Sequence, residues 1–330
     1  MSNSFRTEIE LLPHPVKLNH PDPILTIGSC FSDTVGQKLK ENKFKVTANP
    51  FGTTYNPLSI FRHIHRCISC SYPPENSYAL SQGLYCNLHF HSSFNNVARE
   101  TVQKQIEQAI DTAHNKLSDT KWLVITLGTA WAFKEINTGD IVANCHKIPM
   151  KNFTRELMSV DEITDSFHAM HRELLAANPH IKLILTVSPV RHLKDGLEGN
   201  TISKSILRLA CDKITKAFSN VTYFPSYEIM LDDLRDYRFY KRDFIHPSEE
   251  AVDYIWESFA QAYFSRDTRQ LLKEWEGLQK SIAHRPFNPK SETYHKFLLN
   301  TLEKINQLNG PLDLQDELTQ WNERINTFYL

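Results

Sequence analysis

Ile24-Leu25-Thr26-Ile27-Gly28-Ser29-Cys30-Phe31-Ser32-Asp33 runs from an apolar, strand-like stretch through a Gly-Ser-Cys turn into a helix-like one. Backbone N–H groups and the positive end of the helix dipole converge at such a turn. A thiol or hydroxyl held there can become a nucleophile with an oxyanion position beside it. Far downstream, Asp243-Phe244-Ile245-His246-Pro247 places a carboxylate three residues before an imidazole. That spacing lets Asp243 reach the Nδ1–H of His246 and fix its tautomer.

Four more short apolar runs resemble Ile24–Ile27: Phe44–Thr47, Trp122–Leu127, Leu183–Val187 and Val221–Phe224. Buried parallel strands have this composition because both sheet faces are covered. Helical patterns at Asp33–Asn42, Pro57–Cys70, Ala98–Leu117, Val160–Ala177 and Ile202–Phe218 separate them, and Ser248–Phe264 reads as a closing helix. The alternation predicts an α/β fold, a doubly wound parallel sheet of five strands. Two hairpin-like insertions interrupt it, Tyr78–Phe90 around Gln82-Gly83 and Ala130–Ala143 around Asn137-Thr138-Gly139-Asp140. From residue 265 to 330 only helical stripes remain, among them Leu271, Trp275 and Leu278, then Phe297, Leu302 and Ile305. The expected division is an α/β domain over 1–264 and a helical extension over 265–330. The extension is either packed on the main domain or used to join copies of the chain.

The chain has 330 residues, is 41% hydrophobic and carries a formal net charge of -1. That balance gives no reason to expect nucleic acid or an anionic membrane as partner. No segment approaches the roughly 20 apolar residues of a membrane helix. Six cysteines without an apolar leader point to reduced thiols and a cytoplasmic location. His63, His65, Cys67 and Cys70 share one predicted helix, and a packed helix is the simpler reading than a zinc site. No metal and no cofactor is expected.

In a doubly wound sheet, ligands bind at the carboxyl ends of the strands. Each predicted strand ends there in a polar segment: Gly28-Ser29-Cys30, Asn49-Pro50-Phe51-Gly52-Thr53, Gly128-Thr129-Ala130-Trp131, Ser188-Pro189-Val190-Arg191-His192 and Pro225-Ser226. Cys30 is one candidate nucleophile, because a helix N-terminus favours a thiolate by lowering its pKa. Ser29 competes for the role, although a serine needs an adjacent base. His91 on the first hairpin, and Asn144 and His146 closing the second, are further candidates for the pocket.

These pieces resemble the GSCFA-domain family, placed among the SGNH (GDSL-like) hydrolases. The resemblance runs from about Ile24 to Phe264. It is carried by Ile27–Phe31, Asn49-Pro50-Phe51-Gly52, Tyr55-Asn56-Pro57, His91-Ser92, Gly128–Trp131, Asn144–Lys147, Ser188–His192 and Asp243–Pro247. It implies a three-layer α/β/α sandwich (flavodoxin-like) and an ester-hydrolysing ancestry, with Asp243 and His246 as orienter and base. Aligned on Gly28, Cys30 falls on the superfamily's nucleophilic Ser and Ser29 on its Asp. Gly52 matches the oxyanion glycine. The superfamily's Gly-x-Asn-Asp is here Gly128-Thr129-Ala130-Trp131, so Thr129 or Asn144 is the candidate replacement for the missing Asn. The resulting expectation is a hydrolase or acyltransferase acting on a small or acylated ester or thioester substrate, with His91, His146, Arg191 and His192 shaping the pocket. The alternative is a non-catalytic binding or assembly protein that keeps the pocket.

Overall fold

The computed structural model describes residues 7–328. The central sheet is built from β1 (Ile24–Gly28), β2 (Val46–Ala48), β5 (Trp122–Leu127), β9 (Lys182–Val187) and β10 (Val221–Phe224). They lie in the order β10-β9-β5-β1-β2, and all pair parallel. The alternating faces of each strand explain the layers. Leu25, Ile27, Leu123, Ile125, Leu183 and Leu185 point into one core. Helices α2 (Pro57–Ser69), α3 (Arg99–Leu117), α4 (Val160–Ala177) and α5 (Gly196–Ala217) supply its other wall. Ile24, Trp122, Val124, Ile184 and Phe224 point into the second core, closed by α1 (Cys30–Glu41) and α7 (Glu249–Tyr263). This is the expected α/β sandwich of three layers.

Some boundaries differ from the sequence reading. The second strand is Val46–Ala48, because Phe44 is already buried among His20, Trp256 and Phe264 before the chain extends. Helix α1 begins at Cys30, three residues early, with Ser29 as its N-cap in extended conformation. Helix α5 begins at Gly196, six residues early.

The first insertion is the hairpin β3 (Tyr78–Ser81) and β4 (Leu84–Asn87), with positive φ at Gln82 and Gly83. The second is more than a hairpin. Strand β6 (Trp131–Glu135) pairs with β7 (Ile141–Val142) on one edge and with β8 (Phe153–Leu157) on the other. β8 has Thr154, Arg155 and Glu156 exposed, so only its ends carry an apolar signal. A short turn of helix, α6 (Ser226–Glu228), follows β10.

At the C-terminus, α8 (Arg266–Ala283), α9 (Glu292–Leu308) and α10 (Gln315–Phe328) surround a separate core of Trp275, Leu278, Leu298, Ile305, Leu314 and Trp321. They are tied to the sandwich at the end of α1: Trp275 Nε1 donates to Glu41 O at 2.9 Å, and Lys43 pairs with Glu317 at 2.6 Å. Among the described residues, no helix is long and apolar enough to cross a membrane.

Candidate active site

The chain runs from β1 to β2 on one side and then returns to β5 on the other. This places a topological switch point between β1 and β5, where such sheets open a crevice. Gly28 sits at its edge, opposite Thr126 in register. Its φ of 139° and its closeness to the Thr126 carbonyl, 2.1 Å from where a Cβ would stand, leave room for glycine alone. Asn49 holds the turn from the β2 side. Its Oδ1 accepts from Gly28 N at 2.8 Å, and its Nδ2 donates to Asp33 Oδ1 at 2.7 Å. Thr53 Oγ1 donates to the other Asp33 oxygen at 2.8 Å.

The turn separates the two candidate nucleophiles. Ser29 is fully buried, its N–H donates to Thr126 O, and its hydroxyl has no hydrogen-bond partner among the described residues. Cys30 is half-buried at the first position of α1. The helix N-terminus was expected to lower its thiol. The N–H groups of Cys30 and Phe31 and the charge of Lys204 do pull it down, but burial and then Asp33 outweigh them, and the net shift is upward. Cys30 therefore rests as a thiol that needs a base. Burial, then Cys30 and Asp33, also push the Tyr55 phenol up, which places Tyr55 within electrostatic reach of the turn.

Asp243 and His246 form a made pair. Asp243 Oδ2 meets His246 Nδ1 at 2.7 Å, and Asp243 Oδ1 accepts the N–H of Ile245 at 2.9 Å and of His246 at 3.0 Å. Those backbone donors, and then the imidazole, hold the carboxyl far below its usual range. With Nδ1 engaged, Nε2 is the nitrogen left for proton transfer. The supporting loop turns at Phe244, which has a φ of 57° and is exposed.

Arg191 braces this loop. Its N–H donates to Ile245 O, its Nη1 to Phe244 O at 3.4 Å, and its guanidinium lies 4.2 Å from the Tyr240 ring centre. Its contacts are thus to the protein's own loop, beside a cleft that it lines with Tyr237 and Tyr240. His192 packs edge-on against Tyr55 at 5.2 Å, and its Nε2 is buried with no hydrogen-bond partner among the described residues. Burial, followed by Lys204 and His246, lowers it to about 3.

Two of the proposed oxyanion donors, Gly52 and Thr129, are engaged elsewhere. Gly52 N–H donates to Asn49 O at 2.8 Å. Its φ of 71° and the His91 ring against it make a Cβ intolerable there, so the glycine serves close packing. The Thr129 hydroxyl pairs with Ser203 Oγ at 2.9 Å and accepts from Trp131 N. Asn144 Oδ1 accepts from His146 N, and His146 Nε2 faces the carbonyls of Asn87 and Phe90. His91 caps the turn that follows it by accepting from Ser93 N. Asn144, His146 and His91 thus make contacts within the insertions.

Sequence reasoning missed Lys204, whose Nζ donates to Gly128 O and Ser188 O at the ends of β5 and β9. The signal was available: it lies with Leu207, Cys211 and Ile214 on the buried stripe of α5, where a lysine is out of place. The helix holding His63, His65, Cys67 and Cys70 is packed. His63 is fully buried between Phe51 and Phe90, and the described residues hold no cluster of His, Cys, Asp and Glu suited to a metal ion.

A parallel α/β/α sandwich with a Gly-Ser-Cys turn at its switch point and an Asp–His pair on the loop leading into α7 defines the class of protein. The chain belongs to the GSCFA family, whose model matches residues 23–259, and the GSCFA domain protein C-terminal domain model matches residues 275–327. Among solved structures, it is similar to a carbohydrate esterase family 3 protein from Talaromyces cellulolyticus (15% identity, 50% of this chain and 67% of that one, TM-score 0.27). It is also similar to an acetyl xylan esterase from Butyrivibrio proteoclasticus (10% identity, 78% and 64%, TM-score 0.28). A Streptococcus pneumonia protein described as a platelet activating factor is a further match (12% identity, 72% and 82%, TM-score 0.39). No curated protein matches the chain.

Proposed function

We propose that the protein is an ester or thioester hydrolase, or an acyltransferase, with Cys30 as nucleophile, His246 as base and Asp243 as its orienter. The observation that carries this reading is the Asp243–His246 pair, held by two backbone donors and one side-chain contact on the loop leading into α7. In this scheme the Cys30 Sγ bonds to the acyl carbon while its proton passes to His246 Nε2. Collapse breaks the bond to the leaving oxygen or sulfur, which takes that proton. Water, deprotonated by His246, then attacks the acyl-cysteine, releasing the acid and restoring the thiol. In acyl transfer, an acceptor hydroxyl, thiol or amine takes the place of water. The raised thiol suits a nucleophile deprotonated during attack rather than a standing thiolate.

A second reading, a binding or assembly protein with a retained pocket, is favoured by one observation: Gly52 N–H and the Thr129 hydroxyl are already engaged. Losing an oxyanion donor lowers the rate by about 10²–10³. The test is turnover of short-chain aryl esters and acyl thioesters by wild type, Cys30→Ala, Ser29→Ala and His246→Ala. Loss in Cys30→Ala and His246→Ala with retention in Ser29→Ala is expected. Activity surviving both of the first two changes overturns the assignment, and no turnover by wild type favours the binding reading.

A further inference from the structure

Among the described residues, Lys204 is the one lysine placed among the buried side chains, only 1% exposed. Its Nζ donates to Gly128 O and to Ser188 O, each at 2.7 Å. Those carbonyls end the neighbouring strands β5 and β9, and β1 flanks β5 on its other side. Because Gly28 stands opposite Thr126, Cys30 and Gly128 each lie two residues beyond a registered pair on adjacent strands. The amine is therefore fixed in the floor of the switch-point crevice, one strand away from the nucleophile turn. An ammonium has three donors, and the two carbonyls take two of them.

Resting on the reading of Cys30 as nucleophile, we propose that Lys204 is a positioning residue whose buried positive charge stabilises the Cys30 thiolate. A charge in this place acts strongly because neither water nor salt screens it well. The groups around the pair are few. Asp33 on α1 and Tyr55 after β2 stand on the Cys30 side; His192 after β9 and the Tyr227 ring of α6, 5.6 Å from Nζ, stand on the lysine side, with His246 beyond His192. Asp33 opposes the thiolate, and its carboxylate is already bound to Asn49 and Thr53. Lys204 is the side chain that favours it, and the influence is mutual: burial draws the ammonium down to about 7, while a thiolate at Cys30 raises it. Thiol and amine then ionise as a coupled pair.

The experiment follows the rate of Cys30 alkylation by iodoacetamide against pH, read by mass spectrometry, in wild type and Lys204→Met. Methionine keeps the volume and removes the charge. The midpoint for Cys30 is expected to rise by about one pH unit, a tenfold slower reaction at pH 7. Cys70 and Cys145, which are half-buried on other elements, keep their wild-type profiles in the same digest and report the fold. An unchanged Cys30 midpoint overturns the proposal. If the methionine variant does not fold, the reciprocal measurement uses wild type alone: ¹³C resonances of the Lys204 side chain are titrated before and after Cys30 is alkylated. A lower Lys204 midpoint after blocking supports the coupling, and an unmoved one overturns it. Alkylation needs no substrate, so an absence of ester turnover removes the hydrolase reading and leaves this result intact. Turnover that depends on Cys30 with an unmoved midpoint removes Lys204 alone.

Discussion

Asp243 accepts three hydrogen bonds from its own loop, two from the N–H groups of Ile245 and His246 and one from the His246 ring at 2.7 Å. The loop is thus a unit in which the carboxylate organises the backbone as well as the imidazole. Asp243→Asn keeps the shape but gives His246 a neutral partner and the wrong tautomer. With an aryl ester that wild type turns over, kcat is expected to fall by at least about 10²-fold with KM little changed. A fall confined to KM would point to a substrate contact instead.

The same carboxylate sets an acid limit. Its folded pKa is depressed below the ordinary 3.8, so its contribution is complete above that value and is lost as pH falls further. Loosening of the 241–247 loop below about pH 4 is expected, seen as faster amide exchange at Ile245 and His246. Asp243→Asn should show that faster exchange already at pH 6.

Several imidazoles act over a higher range. Burial lowers His63 far below 6.5, and His89 and His192 to about 3, so the folded chain keeps them neutral where the unfolded chain takes up protons. Stability should therefore fall as pH drops below 6.5 and be fully regained above it. Among the described residues His63 has no hydrogen-bond partner for either ring nitrogen, and it stacks on Phe51 at 4.7 Å. His63→Leu is expected to flatten the pH dependence of urea midpoints between pH 7 and 5, and an equally steep profile would remove His63 as a source.

Asn49 links the β1 turn to Asp33 and holds a φ of 43°, which asparagine tolerates and alanine resists. Asn49→Ala leaves the Gly28 N–H without its acceptor. A loss of about 2–4 kcal/mol in urea unfolding is expected. The larger effect belongs to Gly28→Ala, where the new Cβ meets the Thr126 carbonyl. Insoluble protein, or a loss above about 3 kcal/mol, is the expected outcome.

The six thiols should separate by burial. Cys67 and Cys211 are pushed up to about 12 and Cys86 to about 11, and all three are buried. In native protein at pH 8, these three are expected to resist iodoacetamide until denaturant is added, while Cys30 labels fastest and His246→Ala slows it. Early labelling of Cys67 or Cys211 would contradict the packing of α2 or α5.

Much of this architecture was legible in the residues themselves. Trp122–Leu127 and Val221–Phe224 are strands with the bounds their apolar runs suggest, because apolar residues at both ends of each run are buried and mark where the strand starts and stops. Gly28, Asp243 and His246 were legible because turn geometry and short spacing are local properties. β8 escaped notice since its three central side chains face solvent, and its place comes only from pairing with β6. Arg191 was read as shaping a pocket; that it does so by lying on Tyr240 at the edge of a cleft came only from the fold.

The turn Gly28-Ser29-Cys30 shows the division most plainly. The sequence by itself determined that a Gly-Ser-Cys turn ends an apolar strand and starts a helix, since strand composition, glycine and helix entry are set by neighbours along the chain. Which side chain is reachable, and whether its thiol is raised or lowered, depended on groups far away in sequence. Burial and Asp33 push Cys30 up, while Lys204, 174 positions later by number, opposes them from the floor of the sheet. Electrostatics and desolvation act through space, so only the tertiary structure decided them.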